Sequence, residues 1–401
     1  MTKYPRIMKR STNTCFLSAC ALKDSKTLQL SDFKTVQLLF RPVTQHPSPI
    51  TSSSRGHAGT WALGHLTVLL ALLLSFACSR TPLVPASGEF VFENTWGKDG
   101  YTVSDYIGPG HGDGTAGSEI GAFNTPTVLA VYQSELYVLD SGNQRVQKFS
   151  LSGAPRSFSV QTNPAVNLNC LGSSGYMPGE FVDPSDLCMS PAGNLFVADS
   201  QNFCVQVFDQ SGRLVKLLGR ILSSRPAATN VTGGFIMPVA VTTDPAGNAY
   251  VLDPAKSTID KFSNSLNIDP AWQTAGGLHD SAFASAVDLG WHAASLYVLF
   301  RTKIMEFSAA GGFTKEIEFA GFGQDRLANA SRLSILDEMF VVSDGNYLKF
   351  FTLEGRFLYS IGGLTGDRDA EFRFPRGAVL VGDELYIADS GNNRLQIFKR
   401  R

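Results

Sequence analysis

Four polar side chains of different chemistry lie within six residues near the end of the chain. Asp389, Ser390, Asn392 and Arg394 bring together a carboxylate, a hydroxyl, an amide and a guanidinium. Such a concentration of polar groups is typical of an active site. The segment that contains them, LYIADSGNNRLQIF at residues 385 to 398, is therefore either a catalytic motif or a structural turn.

Recurrence of this segment favours the structural turn. Weaker copies extend back to Leu136, and each well-preserved copy has an Asp followed by a Gly or Asn that tolerates positive φ. The Asp side chain can accept backbone N–H bonds, and the arginine on the next strand is placed to pair with it. The residues of this predicted turn motif are Asp140, Asn143, Arg145, Asp199, Asn202, Asp389, Asn392 and Arg394.

Two further carboxylates are candidate metal ligands. Asp183 and Asp186, in the sequence VDPSD, form the one acidic pair near a predicted inner strand. Such a pair could hold a structural Ca²⁺ or another divalent ion, because hard cations take oxygen ligands. Asp-Pro turn chemistry is the alternative, and we prefer it. No cofactor is expected beyond such an ion.

Cysteine and histidine add little chemistry after residue 78. The three histidines there do not recur in any pattern. Cys170, Cys188 and Cys204 have irregular spacing, which fits neither a disulfide framework nor a Cys-x-x-Cys metal site. One bridge, for example between Cys170 and Cys188, would suit an oxidising compartment. Burial of Cys188 and Cys204 as small hydrophobic residues is the interpretation that we prefer.

An apolar pentad that recurs about every 50 residues organises the chain. A period of this size indicates a propeller or a solenoid. Each pentad is β-branched and aromatic with both alternating faces apolar, so it predicts a strand that is buried on both faces. The copies are LYVLD at Tyr137, LFVAD at Phe196, AYVLD at Tyr250, LYVLF at Tyr297, MFVVS at Phe340 and LYIAD at Tyr386.

Further strands surround each pentad. A turn and a second strand follow it, ending in an aromatic residue such as Phe149 or Phe398. A strand introduced by Phe or Leu and Pro precedes it, as at Pro184, and a fourth follows at residues 213 to 219 and 356 to 363. Four antiparallel strands in a repeat of this length predict the blade of a β-propeller.

The combined pattern resembles the NHL repeat, a propeller module usually found in six copies. Phe-x-x-Pro is followed by Leu-Tyr-Val-Ala-Asp-Ser-Gly-Asn-x-Arg and then by Val/Ile-Gln-x-Phe. Copies one, two and six match well, copy three keeps Asp253, and copies four and five have Phe300 and Ser343 where the aspartate is expected. The resemblance implies an all-β, six-bladed β-propeller of four-stranded antiparallel blades over residues 88 to 401.

The sixth repeat needs a strand from elsewhere. It ends at Phe398 with only KRR after it, which leaves three strands and an unpaired edge. At the other end of the propeller region, GEFVFENTWG at residues 88 to 97 has no blade of its own. We predict that this N-terminal strand closes the last blade.

The resemblance also raises an enzymatic alternative. Amidating lyases and calcium-dependent lactonases, which are related to this family in fold, place metal ligands from several blades around the axis. The corresponding inner-strand positions expected here hold no such set of ligands; they are Thr127, Ser185, Val239, Ala286 and Arg376.

The N-terminal part has a different character. Residues 1 to 60 are predicted to be an unstructured or mis-assigned leader, with the true start downstream. Seventeen uncharged residues from Trp61 to Ala77 precede Cys78, and this run is short for a membrane span and long for a secretory signal. Because Ser75 and Phe76 with Ala77 resemble a bacterial lipobox, residues 61 to 78 are interpreted as a lipoprotein signal, with lipid added to Cys78. A plain signal peptide and a membrane anchor are the alternatives. Residues 79 to 87 would be a linker.

These observations lead to one functional hypothesis and one alternative. The hypothesis is a scaffold anchored in the bacterial cell envelope through lipid on Cys78, facing the periplasm or the cell surface, that binds a protein, peptide or glycan. A metal-dependent envelope hydrolase or lyase, with its site in the axial channel, is the alternative. Residues 79 to 401 contain 25 Lys/Arg and 33 Asp/Glu. No nucleic-acid partner is expected, because an acidic surface repels phosphates.

Overall fold

A computed structural model describes the propeller region of the chain. The described residues are 90–97, 116–159, 169–221, 234–269, 272, 278–279, 281–319 and 325–401. The leader, the predicted signal segment with Cys78, and the linker all lie outside them. Within the described residues, no helix is long and apolar enough to cross a membrane.

The described residues form six antiparallel sheets, one for each sequence repeat. The all-β, six-bladed propeller is therefore confirmed. Blade 1 has β2 (Pro126–Tyr132), β3 (Glu135–Asp140) and β4 (Arg145–Ser150), with the short β5 (Pro155–Arg156) and β6 (Cys170–Leu171) both paired to β4. Blade 2 has β7 (Pro184–Met189), β8 (Leu195–Asp199), β9 (Cys204–Phe208) and β10 (Leu214–Gly219). Blade 3 has β11 (Ala240–Thr243), β12 (Ala249–Asp253), β13 (Thr258–Phe262) and β14 (Leu278–His279).

The remaining three blades have the same order of strands. Blade 4 has β15 (Ala286–His292), β16 (Ser295–Phe300), β17 (Lys303–Ser308) and β18 (Phe313–Glu318). Blade 5 has β19 (Ala330–Leu336), β20 (Met339–Asp344), β21 (Tyr347–Thr352) and β22 (Phe357–Gly362). Blade 6 has β23 (Pro375–Val381), β24 (Glu384–Asp389), β25 (Arg394–Arg400) and, from the N-terminal side, β1 (Phe90–Trp96).

The first strand of each blade is the innermost, and these inner strands close a ring. β2 contacts β7 and β23, and the contacts continue through β11, β15 and β19. Among the described residues, one apolar cluster fills each interface between neighbouring blades. The second strands of all six blades are buried along almost their whole length, as expected for strands covered on both faces.

A buried aspartate ends the second strand in five blades. In blade 6, Asp389 accepts hydrogen bonds from Arg373 N at 2.8 Å, Asn392 Nδ2 at 2.9 Å and Gln396 Nε2 at 3.0 Å, and its Oδ2 lies 2.8 Å from Arg394 Nε. The carboxylate thus ties the turn after the second strand to the residues that lead into the inner strand. The five hub aspartates are Asp140, Asp199, Asp253, Asp344 and Asp389.

In blade 5 the hub is Asp344, so the expectation that Ser343 takes this position is wrong. Asp344 accepts hydrogen bonds from the backbone of Ala328 and Asn329, and Lys349 Nζ lies 2.7 Å away. Asp344 pairs with Tyr347, so the turn between β20 and β21 has only two residues. In blade 4, Phe300 holds the equivalent place, as expected.

The predicted closure of blade 6 by an N-terminal strand is confirmed. β1 pairs antiparallel with β25, from Phe90 opposite Arg400 to Trp96 opposite Leu395. Phe90 and Trp96 are almost completely buried, and the Trp96 ring lies 5.4 Å from the Tyr386 ring, centroid to centroid. The strand therefore contributes core as well as backbone hydrogen bonds.

Deleting residues 79–97 should lower the stability of the propeller strongly. Loss of Trp96 alone removes a buried aromatic side chain, which typically costs about 3–5 kcal/mol, and β25 would become an open edge. The measurement is the urea unfolding curve of the deletion variant. Deletion of residues 79–87 alone is the matched control and should leave the midpoint unchanged. Equal midpoints for the two deletions would contradict this role of β1.

Candidate functional site

The six inner strands share one equivalent position. It lies two residues after the proline near the start of the strand, or after the residue that takes the place of this proline. In four blades a register shift of the ladder falls directly before this residue, and a β-bulge of this kind re-aims side chains. Three of the six residues are charged. The six residues are Val128, Asp186, Ala240, Asp288, Arg332 and Gly377.

The three charged residues meet in the middle of the ring. Arg332 Nη1 lies 3.0 Å from Asp186 Oδ1 and 3.0 Å from Asp288 Oδ1. Arg332 Nη2 also donates to the carbonyl of Ser185 at 2.5 Å. The guanidinium thus reaches from blade 5 to blade 2. We refer to Asp186, Asp288 and Arg332 as the axial triad.

The two carboxylates of the axial triad also hold neighbouring inner strands together. Asp186 Oδ2 accepts a hydrogen bond from Val241 N at 2.7 Å, and Asp288 Oδ2 accepts one from Leu333 N at 2.6 Å. In both cases the donor belongs to the next blade. Inner strands present an unpaired edge to the axis, so these carboxylates satisfy backbone groups that would otherwise lack partners.

Burial raises the pKa of both carboxylates of the axial triad. Desolvation raises the pKa of Asp186 to about 7; Arg332 opposes this shift and Asp288 adds to it. Desolvation also raises the pKa of Asp288. Burial acts to lower the pKa of Arg332, but the two carboxylates outweigh it and raise that pKa above its ordinary value. Both carboxylates therefore take up protons at a higher pH than an ordinary aspartate does.

The residues around Asp186 do not fit a metal ion. Arg332 occupies the space between the two carboxylates where a cation would bind, and its charge would repel one. Asp183 is exposed and lies outside the axial triad, so the acidic pair is not brought to a common site. In the part of the chain that the structure describes, no three His, Cys, Asp or Glu side chains cluster as metal ligands.

An open cavity of about 600 Å³ lies at one mouth of the axial channel. We call it the mouth pocket. Its lining comes from blades 3 to 6, at the end where the inner strands begin. The lining residues are Met237, Val239, Pro254, Ala284, Ser285, Ala286, Val287, Arg301, Asn329, Ala330, Ser331, Gly345, Phe374 and Arg376. A second cavity of about 230 Å³ lies further along the inner strands and includes the axial triad in its lining. The axial triad therefore lines this second cavity and not the mouth pocket.

In blades 3 to 6 the residue that precedes the inner strand lines the mouth pocket and forms its rim. In blade 6 this residue is Phe374, whose side chain is 60% exposed and whose φ is +50°. A positive φ is costly for an aromatic residue, and here the Asn346 side chain of the preceding blade accepts a hydrogen bond from Phe374 N at 3.0 Å. Asp183 has the equivalent place in blade 2, with φ +55° and its N–H bound by Gln144 Oε1.

The mouth pocket is electropositive. Arg301 and Arg376 line it, and none of its described lining residues is acidic. Burial lowers the pKa of Arg376, and repulsion from Arg332 and Arg301 lowers it further. Arg301 Nη1 donates to the side-chain carbonyl of Asn329. This concentration of positive charge contrasts with the acidic balance of residues 79 to 401.

The three cysteines of the described residues are thiols and form no disulfide with one another. Cys204 is fully buried on β9, and desolvation raises the pKa of its thiol well above the ordinary value. Cys188 lies on β7, packed against the cluster between blades 2 and 3. This agrees with the interpretation of both as small hydrophobic residues.

Comparison with known proteins agrees with the geometry. The sequence profile of the NHL repeat matches residues 181–208 and 372–398, which are the inner-strand and hairpin segments of blades 2 and 6. This six-bladed β-propeller contains NHL repeats in blades 2 and 6. The B-box type zinc finger protein ncl-1 of Caenorhabditis elegans is 32% identical over 85 residues, which are 21% of this chain. The matched part spans about a tenth of the length of that relative.

Solved structures share the propeller fold at low identity. An auxiliary nutrient binding protein from Bacteroides ovatus has a TM-score of 0.51 and 14% identity, covering 77% of this chain and 76% of that one. A protein of the same description from Bacteroides thetaiotaomicron has a TM-score of 0.51 and 12% identity, covering 76% and 75%. At this level of identity the likeness concerns the propeller fold alone.

Sequence reasoning found part of this site. It placed Asp186 and Arg376 on inner strands, but it missed Asp288, Arg332 and Arg301. In blade 4 the register makes Val287, and not Ala286, equivalent to Ser185. Blades 4 and 5 lack the proline that marks the inner strand in the other blades. Without it, the sequence did not show that Asp186, Asp288 and Arg332 occupy the same position of their inner strands.

Replacing Arg332 with Met should leave two buried carboxylates without their shared cation. We expect a loss of about 3–5 kcal/mol in the free energy of unfolding at pH 8. The loss should shrink at pH 5, because the folded carboxyls then take up protons while unfolded Asp stays ionised above about pH 4. Urea titrations at both pH values measure this.

Two further variants sharpen the test. The triple variant Asp186→Asn, Asp288→Asn, Arg332→Met carries no buried charge at this position and should recover part of the lost stability. Arg213→Met removes an arginine of an exposed ion pair and should change the free energy of unfolding by less than about 0.5 kcal/mol. An Arg332→Met variant as stable as the wild type at pH 8 would show that the axial triad does not hold the inner strands.

Proposed function

We propose that this NHL-repeat propeller is an interaction scaffold of the bacterial cell envelope, and that its mouth pocket receives part of a protein, peptide or glycan partner. The observation that carries the proposal is the mouth pocket itself. It is open to solvent, is within the usual size range of ligand sites, and combines apolar walls with a few polar groups. It also lies at the axis, where four blades contribute to a single surface.

Rigidity of the pocket supports a binding role. Its walls are the beginnings of inner strands and the turns fixed by the hub aspartates, and the buried axial triad ties the same inner strands together further along the channel. A ligand would therefore meet groups that are already in position, which reduces the entropy lost on binding.

Phe374 supports the proposal further. An exposed aromatic residue held at positive φ is costly, and such strain is found at functional sites more often than elsewhere. Aromatic side chains are enriched among residues that dominate binding energy. Phe374 stands on the rim of the mouth pocket, where a partner that enters the pocket would contact it.

Anchoring places the scaffold at a membrane surface. In this proposal, lipid on Cys78 attaches the chain to the envelope, and residues 79 to 87 link it to β1. A nucleic acid is not expected as the partner, because residues 79 to 401 carry a net negative charge and the described lining of the mouth pocket holds two arginines.

A photocrosslinking amino acid at position 374 should capture the partner in intact cells. We expect benzoylphenylalanine at Phe374 to give a discrete adduct of higher mass on irradiation. Phe313 is the matched control, because it is a similarly exposed phenylalanine on an outer strand, away from the mouth pocket. Mass spectrometry of the adduct identifies the partner. Adducts from Phe313 that equal those from Phe374 would place binding elsewhere, and no adduct from either would argue against the scaffold.

Replacing Cys78 with Ser should abolish lipid attachment. We expect loss of radiolabelled palmitate incorporation and release of the propeller from the membrane fraction. Cys170→Ser is the control and should leave labelling unchanged, because that residue belongs to blade 1. Undiminished labelling of the Cys78→Ser variant would rule out this anchor.

A further inference from the structure

We infer that the mouth pocket recognises the free C-terminal carboxylate of a peptide, held by Arg376 and Arg301. This inference rests on the proposed function and makes it more specific. The positive charges and the apolar walls of the pocket together indicate a ligand whose end carries both a carboxylate and an apolar side chain.

Arg376 lacks a carboxylate partner within the described residues. Buried arginines elsewhere in the propeller are paired with a carboxylate, for example Arg394 with Asp389. The charge of Asp288 acts on Arg376, but the Asp288 carboxylate already binds Arg332. A partly buried guanidinium without a counter-ion is unfavourable, and a bidentate carboxylate is the ligand that fits its planar geometry.

Arg301 adds a second cation at the same pocket. It follows β16 directly, and its charge contributes to lowering the pKa of Arg376, so the two guanidinium groups are close enough to interact. One Nη1 hydrogen bond goes to Asn329, which leaves other N–H donors of Arg301 for a ligand. Two neighbouring cations without an acid between them form a site for one anionic group.

The remaining walls favour a peptide end over a sugar acid. Most of the other lining residues are apolar, including Met237, Pro254 and Phe374. A sugar acid carries hydroxyl groups on all sides, and those facing such walls would lose their hydrogen bonds to water. A C-terminal residue instead presents its carboxylate on one side and an apolar side chain on the other. The volume of about 600 Å³ accommodates only the last few residues of a peptide.

The test uses two pools of fluorescein-labelled hexapeptides, randomised at the last three positions and identical except for the C-terminus. One pool has the free acid and the other the C-terminal amide. By fluorescence anisotropy we expect the acid pool to bind about tenfold more tightly or better, as for loss of a charge-assisted hydrogen bond. Arg376→Gln should reduce the affinity for the acid pool to that for the amide pool, and Arg213→Gln should change nothing.

One control variant and two outcomes separate the failure of this inference from failure of the scaffold proposal. Ala284→Trp fills the mouth pocket from an exposed position and should abolish binding of both pools. Equal binding of acid and amide pools, both lost in Ala284→Trp, would overturn the carboxylate inference and leave the pocket as a binding site. Absence of peptide binding up to about 1 mM, with a partner still captured at Phe374, would likewise overturn the inference alone.

The remaining outcomes concern other anions. Oligogalacturonate that binds in an Arg376-dependent manner, while the peptide acids do not, would reassign the carboxylate to a glycan and overturn the peptide inference. Single-stranded RNA that binds with the same dependence would overturn it as well. Unfolding curves of Arg376→Gln serve as the folding control, and their midpoint should equal or exceed that of the wild type, because the variant removes an unpaired cation.

Discussion

The buried carboxylate at the end of the second strand is the interaction on which the propeller depends. A carboxylate removed from water is tolerated only when its oxygens are satisfied, and the chain supplies the donors locally. In blade 1, Asp140 binds Asn143, Arg145 and Gln147 as well as the backbone of Asn124. Desolvation raises the pKa of Asp140, and Arg145 opposes the rise. One residue thus fixes the turn, the third strand and the approach to the inner strand together.

This constraint also determines the geometry of the rim. The hub binds the N–H of the residue two places before the inner strand, as Asp389 binds Arg373. A side-chain amide from the preceding blade binds the N–H of the next residue, as Asn346 binds Phe374. Two hydrogen bonds on consecutive residues, followed by a proline, hold Phe374 at positive φ. The rim is therefore set by contacts within and between blades before any ligand arrives, and it provides a rigid frame for the mouth pocket.

The repeated elements and the functional candidates occupy different places in the fold. Hub aspartates recur because every blade needs the same turn. Asp186, Asp288 and Arg332 come from three different blades and belong to no repeated motif. The same is true of Arg301 and Arg376 at the mouth pocket. Repetition supplies the scaffold, and chemistry appears where the repeats differ, as expected when a common fold carries a specific site.

The sequence by itself determined the period, the hairpin of each blade and the closing strand, because each depends on local patterning or on an unpaired edge. It misplaced the hub aspartate of blade 5 by one residue. The turn after Asp344 has only two residues, so Phe340 pairs with Phe351. Phe340 is therefore equivalent to Leu136 of blade 1, which pairs with Phe149. Only the tertiary structure brought Asp186 to Arg332, because 146 residues separate them. No local pattern records which inner strands face one another across the axis. That proximity arises when six blades close into a ring.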